Sequence, residues 1–193
     1  MKKHIKSIFI ALFRFKHRKH ASIGDVCVFG LKSRIINRTK NSAAIVIHNR
    51  VMMHGSLIVE GNGKIILSEC VNIRRNTYVG STSRVFIGRG VIISDGVTIM
   101  DNNNHPVDPT ARREMVESGW TNANWSWTRS ESAPITIEEN VWIGQNARIH
   151  KGVTVGRNSI IAANAVVTKD VSADVIAAGN PAREVKKLGQ GRQ

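Results

Sequence analysis

Acidic residues are scarce in this 193-residue chain, 14 against 28 lysines and arginines, giving a formal net charge of +14. A bias of that size favours anionic partners. Aromatic residues are scarce too, at 5%. With no reader motif beside them, the basic charge does not read as a nucleic-acid interface. Only two cysteines occur, Cys27 and Cys70, with no metal-ligand spacing between them. Both lie in apolar surroundings and read as reduced core residues, which fits the cytosol. No apolar run approaches the roughly 20 residues that span a bilayer. The length allows one domain with small additions.

What the chain has instead is a count in sixes. Ile137, Ile143, Ile149, Val155, Ile161 and Val167 are each six apart. Four places after each comes a small or branched residue: Val141, Ala147, Val153, Ser159, Ala165, Val171. Neither a helix nor a two-faced strand holds a strict period of six. A solenoid of very short parallel strands does. The first residue of each hexad fills the core with a β-branched side chain, and the fifth faces inward near a corner. Between hexads sit Gly144, Asn146, Gly152, Gly156, Asn158 and Asn164, residue types that tolerate positive φ at tight corners. Three hexads would close one triangular coil, with coils stacking at the ordinary strand spacing of about 4.8 Å.

The phase continues upstream with interruptions. Leu67, Ile73 and Val79 are six apart, as are Ile87, Ile93 and Ile99, but eight-residue steps join Val59 to Leu67 and Val79 to Ile87. The regular part amounts to about four coils, enough for a repeat protein to bury a continuous core. Before it, Ile23, Val28, Ile35, Ile36, Ile45, Ile47 and Val51 are loosely phased, so residues 21 to about 60 read as looser coils at one end. Residues 102–134 form a single long insertion, and excursions of that length in compact domains are usually functional. After Ala178, Gly179-Asn180-Pro181 reads as a turn. The AREVKKL that follows reads as a short helix with Pro at its first position, closing the open end of the solenoid. The expected division is therefore residues 1–20, a β-solenoid over 21–178 carrying the insertion, and a closing segment over 179–193.

The first twenty residues hold Lys2, Lys3, Lys6, Arg14, Lys16, Arg18 and Lys19 and no acid. Ile5, Ile8, Phe9, Leu12 and Phe13 among them follow helical spacing. Such a basic amphipathic helix either lies on an anionic membrane surface or packs its apolar stripe on the solenoid.

The segment from Ile143-Gly144 through Asp170, followed by Gly179-Asn180-Pro181-Ala182-Arg183, resembles the hexapeptide-repeat acyltransferases. NVWIG, VVTKD and AAGNPAR are its most specific pieces. Within that family the likeness is to galactoside and maltose acetyltransferases and to O-acetyltransferases of bacterial surface polysaccharides. It implies an all-β fold, a left-handed parallel β-helix. The hand comes from the resemblance alone, because ordinary crossovers are right-handed. It also implies acetyl-CoA as co-substrate with no metal, a sugar or glycan acceptor, and a homotrimer with active sites between subunits. The protein would then be cytoplasmic, or peripheral at the inner face of the membrane through residues 1–20.

The resemblance places the catalytic base at His105, in IMDNNNHPVDP. Acetyl transfer to a hydroxyl needs a group that removes the proton as the oxygen attacks, and imidazole suits that task near neutrality. Read without the resemblance, His105 is one surface-loop histidine among seven. Asp101, or a carbonyl of Asn102–Asn104, would orient the ring. The carrier set maps to Trp142, Gly144, Ala163, Thr168, Lys169 and Arg183, with Lys169 and Arg183 suited by charge to the phosphates of CoA.

The chain departs from the sugar enzymes in two respects. In them a much shorter segment separates the histidine from NVWIG; here it carries Trp120, Trp125 and Trp127. Together with Asn103, these tryptophans are candidates for acceptor binding, or alternatively pins that hold the loop to protein. The acceptor-binding asparagine of the small-sugar enzymes has no clean counterpart, for Arg74, Arg75 and Asn76 occupy that region. Three functions fit to different degrees: glycan O-acetylation in surface polysaccharide or lipopolysaccharide synthesis, acetylation of a small soluble acceptor, and a metal-dependent carbonic-anhydrase-like β-helix. The last would need three converging histidines, and His48, His54, His105 and His150 lack ligand spacing.

Overall fold

The computed structural model describes residues 11–189. Its chain winds through three parallel sheets in strict rotation. The first face holds Ser22–Ile23, Ile45–Ile47, Ile65–Leu67, Val85–Ile87, Ile135–Ile137 and Thr154–Val155. The second runs from Val28–Phe29 through Trp142–Ile143 to Ile160–Ile161 and Val175–Gly179. The third runs from Arg34–Asn37 through Thr98–Met100 to Val166–Val167. The core lies inside the triangle. All twelve hexad positions from Ile137 to Val171 are buried there, Ser159 satisfying its hydroxyl by donating to the Ser172 carbonyl at 2.7 Å.

Strand register explains why the count is strict at one end and loose at the other. Thr136 pairs with Thr154 and Trp142 with Ile160, so these coils are 18 residues long, three hexads. Ile45 pairs with Ile65 and Ile65 with Val85, giving coils of 20 residues. The first coil is longer again, for Ser22 pairs with Val46. Residues 21–60 thus belong to the same three sheets, in coils longer than the 18-residue ones that follow.

Corner residues follow two separate rules. Asn146, Gly152, Asn158 and Asn164 adopt the expected positive φ. Gly144 does not; it is needed because a Cβ there would stand 2.5 Å from the Ala163 nitrogen of the next coil. Cys27 is buried as expected, but Cys70 is a correction, since it occupies a corner at φ 60° and is only partly buried.

The closing segment is a second correction. Ala182–Lys187 forms a strand, antiparallel to Val175–Gly179, where a helix was expected. The open backbone edge of the second face outweighs the helix propensity of AREVKK, whose side chains offer no apolar face to bury. Glu184 fixes the hairpin by accepting from the Ser172 amide at 2.8 Å, and that bond holds its carboxyl below the usual range.

At the other end residues 11–17 are helical. Phe13 stacks on Phe29 with centroids 4.1 Å apart, and Arg14 pairs with Asp25 at 3.2 Å. The described part of this helix therefore packs on the first coil. Ile5, Ile8 and Phe9 lie outside the described residues. Among the described residues no helix is long and apolar enough to cross a membrane.

Candidate functional site

The insertion leaves and returns at the corner between the third and first faces. Its neck is a short antiparallel pairing: the Ala133 amide donates to the Asp101 carbonyl at 2.9 Å, Asn102 bridges Ser132, and the Asn103 amide donates to the Glu131 carbonyl at 3.1 Å. Asp101 is wholly buried at its root. Its carboxylate accepts from Ser81 Oγ at 2.6 Å, the Thr82 and Ser83 amides at 2.8 and 2.9 Å, and Asn102 Nδ2 at 3.1 Å. A carboxylate so fully engaged is a structural node. In this structure its side-chain bonds go to the neighbouring coil and to Asn102, so it holds the root of the loop and not the His105 ring.

The asparagine run then aims the histidine. Asn102 Oδ1 accepts from the Asn104 amide at 2.9 Å, an Asx turn, and Asn104 takes φ 62°. The His105 amide donates to the Asn103 carbonyl at 2.7 Å. The ring emerges exposed and meets Trp125 edge to face, with centroids 5.8 Å apart at 87°. Trp125 in turn stacks on Trp120 at 4.7 Å, and Trp120 is 81% exposed. The Trp125 Nε1 is buried with no partner among the described residues. His105 thus stands at one end of an aromatic wall that carries an unused donor.

Trp127 has a different place. It meets Tyr78 at 6.2 Å, edge to face, with the Arg38 guanidinium 6.0 Å from its ring. Beside it Ser126 Oγ donates to Glu60 Oε1 at 2.6 Å, Arg38 pairs with Glu60 at 3.2 Å, and the Thr128 methyl lies over Gly61. Burial here pushes the Tyr78 phenol up to about 12. Ser126, Trp127 and Thr128 together pin the insertion to three coils of its own chain, while Trp125 meets His105 and carries Trp120 stacked on it.

Several residues were not anticipated. Pro109–Glu117 is a helix within the insertion, capped by Asp108 accepting from the Ala111 amide at 2.8 Å. The Asp-Pro pair of HPVDP was its signal. Glu131 joins Asn103 Nδ2 and Lys151 Nζ, each at 3.4 Å, tying the neck to the next coil. There His150 has its pKa lowered by burial and by the charges of Arg148 and Lys151.

The carrier candidates divide between two parts of the triangle. Thr168 and Lys169 follow Val166–Val167, at the same corner as His105 and two coils beyond it. Trp142 lies on the second face, opposite that corner; it is 50% exposed and its Nε1 donates to Ser94 Oγ at 3.2 Å. Gly144 and Ala163 meet at the next corner, and Arg183 projects from the closing hairpin. One chain therefore does not bring His105 to Trp142. Asn76 is a positive-φ corner residue. Among the described residues no group of three His, Cys, Asp or Glu is placed to hold a metal. His48, His54 and His105 fall at three different corners.

Comparison with known proteins agrees with this architecture. Residues 134–169 match the family described as bacterial transferase hexapeptide (six repeats). The chain is 36% identical over 123 residues to galactoside O-acetyltransferase of Escherichia coli, covering 61% of this chain and 54% of that one. It is 28% identical over 130 residues to the putative lipopolysaccharide biosynthesis O-acetyl transferase WbbJ of the same organism, covering 66% and 62%. The chain thus spans a little over half the length of these relatives. Among solved structures, AntD, an N-acyltransferase from Bacillus cereus in complex with dTDP and 3-hydroxybutyryl-CoA, superposes with a TM-score of 0.72 at 17% identity. That match covers 93% of this chain and 89% of the other. The chain has the left-handed parallel β-helix fold, and its residues 134–169 are bacterial-transferase hexapeptide repeats.

Proposed function

We propose that the protein transfers an acetyl group from acetyl-CoA to a sugar hydroxyl, with His105 as general base. One observation carries the reading: His105 is exposed at the mouth of a braced loop, edge-on to a tryptophan pair suited to the C–H face of a sugar ring. His105 takes the hydroxyl proton as the sugar oxygen bonds to the acetyl carbon. The carbon–sulfur bond breaks, and the proton passes from His105 to the departing thiolate. Asn103 borders the same opening.

Trp142, Gly144, Ala163, Thr168, Lys169 and Arg183 hold the CoA. Because His105 and Trp142 lie on opposite sides of the triangle, the site is completed by packing one chain's corner against another chain's second face. A homotrimer with intersubunit sites satisfies this. The acceptor is a glycan of surface polysaccharide or lipopolysaccharide, a reading supported by the likeness to the putative lipopolysaccharide biosynthesis O-acetyl transferase WbbJ. The basic N-terminus supports a position at the inner face of the membrane, where such acceptors are anchored. A small soluble sugar is the second reading, favoured by the likeness to galactoside O-acetyltransferase.

The test is thiol release from acetyl-CoA across free sugars, nucleotide sugars and bacterial glycan extracts. Release should require an acceptor and should fall about 10²–10⁴-fold in His105→Ala. Trp120→Ala should raise the acceptor KM with the rate at saturation preserved. No acetyl-CoA binding, or full activity without His105, overturns the reading.

A further inference from the structure

The helix of residues 11–17 lies across the first coil without filling the space beside it. A cavity of about 350 Å³ remains between the helix and the strand Arg34–Asn37, lined by Lys16, His17, His20, Ser33, Arg34 and the adjoining strand. His17 is only 7% exposed, and its Nδ1 has no partner among the described residues. Buried polar atoms in folded proteins are nearly always satisfied, so a buried, unsatisfied histidine on a residue that lines the cavity marks this end of the solenoid as unfinished. The charge around it has one sign. The first 40 residues hold eleven lysines and arginines and a single acid, Asp25. Asp25 is paired with Arg14, and among the described residues Lys16 and Arg34 have no acidic partner.

On the same helix Leu12 and Phe15 are 61% and 63% exposed. The Arg18 guanidinium lies 4.2 Å from the Phe15 ring centroid. A helix that buries Phe13 and His17 yet leaves two large apolar side chains in a cationic surround has a second surface that no described residue covers.

We propose that this end of the solenoid docks on an anionic phospholipid bilayer. A headgroup phosphate enters the cavity and accepts hydrogen bonds from Lys16 and Arg34, while Leu12 and Phe15 enter the acyl boundary. The proposal deepens the membrane part of the reading above and is independent of the acetyl-transfer chemistry. Charge complementarity selects the occupant, because an acidic lipid surface supplies both the phosphate for the cavity and the apolar layer for the two side chains. Neither feature alone would hold the protein firmly. Docking by this end would stand the β-helix on the membrane with the closing hairpin farthest from it.

The experiment is vesicle co-sedimentation of the full chain without acetyl-CoA. Vesicles of phosphatidylcholine alone are compared with vesicles that also contain phosphatidylglycerol. Binding is expected only to the second. Lys16→Gln with Arg34→Gln should weaken it about tenfold or more. Lys186→Gln with Lys187→Gln, the same charge removed from the far hairpin, should leave it unchanged. Leu12→Ser with Phe15→Ser should weaken vesicle binding while leaving the response of the cavity to inorganic phosphate, followed by ³¹P NMR, intact. Equal losses in the two charge-removing variants would overturn the site, since net charge alone would then be responsible. Equal binding to uncharged vesicles would also overturn it. Phosphate binding without vesicle binding would move the cavity to a soluble phosphate ester and overturn the lipid assignment.

Discussion

The coils from Ile137 to Ser172 and the coils before the insertion share one core but differ at one corner. In the later coils a turn of three or four residues leads from the third face to the first, as at His150–Val153. In the earlier coils the third-face strands are longer, Ser56–Val59 and Tyr78–Ser81. From the matched positions Leu57 and Val79 the chain takes ten and eight residues to reach Leu67 and Ile87, where Ile149 takes six to reach Val155. Both widened corners touch the insertion. One supplies Glu60 and Gly61, which receive Ser126 and Thr128; the other supplies Ser81, Thr82 and Ser83, which surround Asp101. A repeat needs uniform corners only to stack. Where this chain departs from uniformity, it is building the seat of the loop that presents His105.

The two regions should respond differently to damage. Ile143→Ala in the regular coils should lower global stability by about 2–5 kcal/mol, the usual cost of a large cavity in a close-packed core. Denaturant unfolding checks this, and a loss confined to one coil would break the comparison. Ser126→Ala, which removes the bond to Glu60, should cost about 1 kcal/mol. It should act on the insertion alone, read as faster proteolysis within residues 102–134 at an unchanged global midpoint. The smallest effect concerns pH. Burial, with Arg148 and Lys151 nearby, lowers the His150 pKa in the folded chain. As pH falls through the ordinary histidine value near 6.5, the unfolded chain takes up a proton that folded His150 refuses, so stability is lost over that interval. Below the lowered folded value the loss stops growing. His150→Gln should therefore show a smaller fall in melting temperature between about pH 8 and about pH 5.5.

Much of this contrast was legible in the residues. The six-residue spacing from Ile137 onward revealed the solenoid because each position answers to one rule, an inward β-branched side chain. The rule stops after Ile99 and resumes at Ile137, and the strands break off at Met100 and resume at Ile135. The widened corners were visible as interruptions, but their partners were not, because Asp101 and Ser81 meet across coils through a hydrogen bond that no local pattern encodes. The helix Pro109–Glu117 was missed although Asp108-Pro109 marked it, because the histidine beside that pair drew the reading to chemistry. The closing segment was misread since helix propensity is a local quantity, whereas the exposed strand edge it covers belongs to the whole sheet. For the tryptophans the sequence offered two roles, and the geometry divides them: Trp127 sits at the dock, Trp120 and Trp125 at the wall by His105.

The most direct test of the account is amide hydrogen exchange on Asp101→Asn, with acetyl transfer measured on the same protein. Asparagine keeps one acceptor oxygen and turns the other into a donor, so the donors that met the lost oxygen are left unpaired at about 1–3 kcal/mol each. The expected result is lost protection in the neck, residues 101–103 and 131–133, with a fall in transfer rate and unchanged protection from Ile137 to Ser172. Protection lost equally throughout, or a free neck with transfer undiminished, would contradict the claim that the widened corner exists to hold the His105 loop.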